Sequence, residues 1–139
     1  MNGKLDHEGV RGDIVTQVHQ RIKNTYVYKP KVVLINAGTN DYNAENNAVD
    51  QIGECMGAMI NDLWNAPDMG DTGIVLSSVL ATTNPVCQPR RDAINGQYAT
   101  FVDGLQQQGR PIVWAPMEWM TTDNGIGPDG VTRTTTATL

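Results

Sequence analysis

A run of four apolar residues, Val32-Val33-Leu34-Ile35, passes through Asn36-Ala37 into the turn Gly38-Thr39-Asn40-Asp41, and this stretch constrains the chain more than any other. Three of the four are β-branched, which suits a strand with both faces covered in a parallel sheet. The turn lifts polar side chains off the carboxyl end of that strand, where open α/β sheets form ligand crevices. There the Asn40 amide can face a developing negative charge, as an oxyanion-hole donor does. The same four residues also suit an Asx turn or the cap of a following helix, and the residues alone leave both readings open.

The rest of the chain repeats the alternation of strand and helix. Gly12-Asp13 opens a helical stretch with Ile14, Val15, Val18 and Ile22 on one stripe, and Lys29-Pro30 ends it before the strand Val32–Ala37. A second helix is expected from near Glu45, with Val49, Ile52, Met56, Met59, Ile60, Leu63 and Trp64 on one face, broken by residues 65–71. Ile74–Leu80 reads as a buried strand and Ala81–Gln88 as a loop. A third helix turns Ile94, Tyr98, Phe101, Val102 and Leu105 inward. Gly109 supplies its left-handed cap, and Pro111 leads into the strand Ile112–Ala115. Strands joined by right-handed helical crossovers give a parallel sheet. Residues 1–131 read as one domain, and the threonine-rich 132–139 as a disordered tail.

At 139 residues there is room for one core. A formal charge of −5 argues against nucleic acid, which demands a basic footprint. No apolar run approaches the roughly 18–20 residues of a membrane span, and the polar start, Met1 to Gly9, does not read as a signal peptide. Cys55 and Cys87 are expected as two separate thiols, since Cys55 lies roughly 15 Å along its helix and Cys87 in a loop at the other end.

Four segments together resemble the SGNH (GDSL-type) hydrolases, and among them the esterases of the third carbohydrate-esterase family. They are Asp6-His7-Glu8-Gly9-Val10-Arg11-Gly12-Asp13, Gly38-Thr39-Asn40-Asp41, Arg91-Asp92-Ala93-Ile94-Asn95-Gly96-Gln97-Tyr98 and Asp123-Asn124-Gly125-Ile126-Gly127-Pro128-Asp129-Gly130. The 28 positions between Gly12 and Asn40 suit one helix plus one strand. The resemblance implies a flavodoxin-like three-layer α/β/α fold with a parallel sheet. It also implies hydrolysis of carboxylic esters, often acetyl groups on sugars, with no metal and no cofactor. In that chemistry a serine attacks, a histidine takes its proton, and an aspartate three residues earlier orients the imidazole. The oxyanion is held by the serine N–H, a glycine N–H and an asparagine amide, and Gly12 and Asn40 match the last two. Relatives of this kind are commonly secreted.

The departures are as informative. No Gly-Asp-Ser occurs in these residues, and Gly12-Asp13 is followed by Ile14. The histidine position holds Gly127 and the aspartate position Asn124, with Asp123 one residue off. Glycine has no group to accept a proton. The resemblance therefore implies that the first strand with its serine, the second strand and the terminal helix are absent. The Val32–Ala37 strand is then an edge able to pair with another chain, and one sheet face is uncovered. Of the other candidates, His7 reads as solvated, although Asp6 and Glu8 beside it could tune it or share a metal. His19 reads as structural, Ser77 and Ser78 as backbone-bonding, Trp114 and Trp119 as packing, and Arg11-Gly12-Asp13 as a chance match to an adhesion tripeptide. Three functions stay open: an ester hydrolase fragment inactive by itself, a non-catalytic module for an acetylated sugar or carboxylate, and an oligomerising interaction protein.

Overall fold

Three short parallel strands, in the order β1-β2-β3, form the sheet: β1 Val32–Ile35, β2 Gly73–Ser77 and β3 Ile112–Ala115. This computed structural model describes residues 7–43, 48–118 and 120. Among the described residues four α-helices accompany the strands: α1 Val15–Arg21, α2 Thr39–Asn43, α3 Ile52–Asn65 and α4 Cys87–Gln107. The α/β alternation expected from the apolar pattern is present.

Each boundary that moved has a local cause. The first helical stripe continues past α1 only as a 3-10 segment, Ile22–Tyr28, which ends at Lys29 in a left-handed conformation (φ 44°). Asn24, Thr25 and Val27 have weak helix propensity, and the tighter turn absorbs them. The second long helix begins at Ile52 rather than near Glu45, whose surroundings lie outside the described residues, and Val49 joins the core from the segment before it. Cys87 opens α4 and is buried rather than looped out, so the third helix begins inside the expected loop. Both cysteines are free. Gly109 takes the left-handed conformation after α4. The threonine-rich tail falls outside the described residues.

The core lies between the sheet and the helices. α1 packs on α3, α3 on α4, and α4 against β3. The approach of α3 to α4 depends on two glycines four apart, because a Cβ at Gly53 would stand 2.8 Å from Gln97 Cβ and one at Gly57 would stand 3.0 Å from the Phe101 ring. Alternation along the strands then sorts the faces. Ile35, Ile74, Leu76 and Ile112 are buried and Val33 is half-buried, all toward the helices, whereas Val32 is 62% and Leu34 is 69% exposed. Leu34 pairs in register with Val75, and Val75 with Val113, which is 50% exposed. Among the described residues one face of the sheet is thus covered and the other carries an open apolar row. The expectation of a β1 buried on both sides is corrected here: Ile35 is buried, while Val32 and Leu34 on the opposite face are exposed among the described residues. β1 pairs only with β2, which leaves its outer edge open among the described residues.

Candidate functional site

At the carboxyl end of β1 the backbone turns through Ala37 and Gly38 into α2. Gly38 has φ 127°, and a Cβ there would stand 3.1 Å from the Tyr98 hydroxyl and 3.2 Å from a Val79 methyl. Both conformation and contact therefore call for glycine. Tyr98 closes this corner by donating from its buried hydroxyl to the Ala37 carbonyl at 2.8 Å. Burial raises the Tyr98 pKa, with the nearby Asp41 carboxylate adding to the effect, so the hydroxyl stays a donor.

The side chains of the turn reach back to the segment before α1. The Asn40 amide donates to the Asp13 carbonyl at 2.9 Å, and the Asp41 carboxylate accepts the Val15 N–H at 3.0 Å. The capping reading of this tetrapeptide takes an unexpected form. Asn40 and Asp41 lie inside α2, and Asp41 caps α1, an element 26 residues upstream, rather than the helix that follows. α1 needs such help because its own N-cap residue is Ile14, whose side chain has no acceptor. Gln17 supplies the remaining local contact, taking the Ile14 N–H at 3.0 Å. Asp41 is 2% exposed, and burial pushes its carboxyl above the ordinary range against the opposing bond from Val15.

Gly12 sits in the exposed turn just before this point at φ 88°, a left-handed conformation in which a Cβ would meet nothing within 4 Å. Strain rather than space is what favours glycine there. Its neighbour Asp13 is held by Arg21 in an ion pair, with the guanidinium Nε at 3.0 Å, and the same guanidinium donates to the Glu8 carbonyl at 2.6 Å. The two candidate oxyanion donors thus come together: the Asn40 amide is bonded to the residue adjacent to Gly12. One N–H of that amide is used on Asp13, and among the described residues the second is left to donate. Among the described residues the Gly12 N–H also meets no acceptor.

The start of α4 clamps the far side of the turn. Arg90 donates to the carbonyls of Tyr42 at 2.8 Å and Asp41 at 3.1 Å. Asn95 completes the end of β2 as a further strand would, accepting the Val79 N–H at 2.7 Å and donating to its carbonyl at 3.1 Å, a carbonyl that Arg91 also reaches. These roles were not read from the sequence, although the segment carrying them had been singled out. Polar residues on the inner face of an otherwise apolar stripe were the available signal.

The remaining candidates are engaged elsewhere. His7 Nδ1 accepts the Gly9 N–H at 3.1 Å, and His19 pairs with Asp62 at 2.5 Å between α1 and α3. Ser77 takes the Asn36 amide at 2.6 Å, and Ser78 accepts the Met117 N–H at 2.8 Å, so both hydroxyls serve the backbone and its neighbours. Trp114 packs edge-on against Tyr98 with ring centroids 6.5 Å apart. Trp119, Asp123, Asn124 and Gly127 lie outside the described residues. No three His, Cys, Asp or Glu side chains converge as a metal site among the described residues.

Comparison with known proteins places this geometry. The family model described as GDSL-like Lipase/Acylhydrolase matches residues 2–138. No curated protein matches the chain. Among solved structures, a mutant acetyl esterase with an acetate ion is 24% identical at a TM-score of 0.78, covering 95% of this chain and 64% of its own. A carbohydrate esterase of family 3 from Talaromyces cellulolyticus has the same identity, coverage and TM-score. A family 3 carbohydrate esterase from Clostridium thermocellum is 17% identical at a TM-score of 0.75, covering 96% of this chain and 63% of its own. These similarities establish a shared fold, and the chain spans a little under two thirds of the length of the structures it matches. With a family match over nearly every residue and the parallel α/β fold of those esterases, the chain belongs to the GDSL-like lipase and acylhydrolase family.

Proposed function

We propose that the Gly12 and Asn40 donors form an oxyanion cradle for the carbonyl oxygen of an acetyl ester on a carbohydrate. The 139 residues by themselves bind such a group without hydrolysing it. The observation that carries this reading is the 2.9 Å bond from the Asn40 amide to Asp13, which holds the amide beside the Gly12 turn with one N–H to spare. A backbone and a side-chain N–H held on neighbouring segments suit an oxygen that gains negative charge. Turnover needs more, namely a nucleophile with a base in hydrogen-bonding reach. The sequence contains two histidines, and both are committed to other partners. Asn124 and Gly127 stand where the family resemblance expects the orienting aspartate and the base.

The test is direct. The purified 139-residue chain should leave p-nitrophenyl acetate at the rate of buffer alone. An acetylated sugar should shift the Gly12 backbone-amide and Asn40 side-chain-amide resonances saturably, and Asn40→Ala should abolish the response at Gly12. Hydrolysis that disappears in Asn40→Ala would overturn the non-catalytic part of the reading.

A second reading rests on the open outer edge of β1 and the exposure of Val32 and Leu34. Such an edge pairs readily with another strand, which favours self-association through Val32–Ala37.

A further inference from the structure

We propose that Asp41 is a positioning residue for the oxyanion cradle: by accepting the Val15 N–H at 3.0 Å its carboxylate fixes the start of α1, and with it the Gly12 turn, relative to Asn40. The inference rests on the reading of Gly12 and Asn40 as the cradle. Adjacent side chains reach positions two apart in one short segment, Asn40 to Asp13 and Asp41 to Val15. The Gly12 turn enters this segment directly, so its position follows from where the segment is pinned. A buried carboxylate is a costly way to cap a seven-residue helix, because taking the charge out of water opposes the gain from its bonds to the backbone N–H groups of Val15 and of Asp41 itself. A serine or asparagine at position 14 would cap α1 more cheaply. What a local cap would not do is tie α1 to the turn that carries Asn40.

The charged and titratable groups near Asp41 among the described residues come from α4 and the turn before α1. Arg90 of α4 bonds its main-chain carbonyl, Tyr98 of α4 lies close enough to feel its charge, and Asp13 of the preceding turn is paired with Arg21. Burial holds the Asp41 carboxyl above the ordinary range. Its titration therefore reports on whatever it holds.

The experiment uses the whole 139-residue chain, backbone amide NMR, and sodium acetate as the probe. In the wild-type chain the Val15 and Gly12 amides should titrate together with one midpoint above the usual carboxylate range. That shared midpoint should vanish in Asp41→Asn, which keeps an acceptor oxygen and should keep Val15 protected from exchange. In Asp41→Ala the Val15 N–H should exchange at least about tenfold faster. The acetate-induced shift at Gly12 should also disappear there, with Asp41→Asn restoring it. A Gly12 amide that ignores the Val15 midpoint, or that is unchanged in Asp41→Ala, would overturn the inference. Should Asp41→Ala not fold, the wild-type and Asp41→Asn titrations decide. If neither Gly12 nor Asn40 responds to acetate in the wild type, the cradle reading fails, while the coupling of Gly12 to Asp41 is still read from the pH titration.

Discussion

Gly38 and Asp41, three residues apart, show two ways in which a single position is fixed. At Gly38 an added methyl would need both a positive φ of 127° and room that the Tyr98 hydroxyl and Val79 already fill. Gly38→Ala should therefore lose about 2–4 kcal/mol, read from urea midpoints. Asp41 is governed by protons. Its folded pKa is raised by burial, so the native state holds the proton more tightly than the unfolded chain does. That contribution is complete below the unfolded pKa of about 3.9 and is lost as pH rises through the higher folded value. Asp41→Asn carries no such proton. The wild type should accordingly gain stability relative to Asp41→Asn on going from about pH 7 to about pH 4, and an unchanged difference between their melting curves would contradict the raised pKa. The motif and spacing of Asn40 and Gly12 bring these two residues forward as candidates, and the structure sets the Asn40 amide beside the Gly12 turn. The target of Asp41 was not legible in the sequence, since a backbone N–H 26 residues away leaves no mark on residue identity.

Among the elements, the three strands and the longer helices were legible from apolar periodicity, and the ends were not. α1 gives way to a 3-10 segment where residues of low helix propensity follow Ile22. Just past the end of β2 at Ser77, the Asn95 side chain takes both backbone groups of Val79. The alternation of Ile74-Val75-Leu76 foretells a strand, but nothing in it foretells that substitute partner. Asn95→Ala would strand the buried Val79 N–H and remove a donor from the carbonyl of the same residue, which Arg91 also reaches. It should cost about 2–4 kcal/mol in urea unfolding, with the loss concentrated in hydrogen exchange at the end of β2. α4 thereby does two jobs, since its apolar face fills the core while Arg90, Arg91, Asn95 and Tyr98 fasten the turns after β1 and β2.

Across the whole molecule, the parallel sheet is clad on one face among the described residues. Parallel sheets are ordinarily clad on both, which is why the continuous apolar runs suggested two buried faces. With margins of about 5–15 kcal/mol typical for a domain, an open row of this kind is a substantial liability. The isolated chain should melt below about 60 °C. It should also self-associate between about 10 and about 200 µM in sedimentation velocity, and Leu34→Lys should shift that distribution toward monomer. A concentration-independent monomer in both proteins would rule out association through β1. The row Leu34–Val75–Val113 has one more practical outcome. Dyes that brighten in oily surroundings will glow on the native protein before any heat is applied, and mild surfactants will partition onto it. Circular dichroism, blind to that coating, is the melting signal to follow.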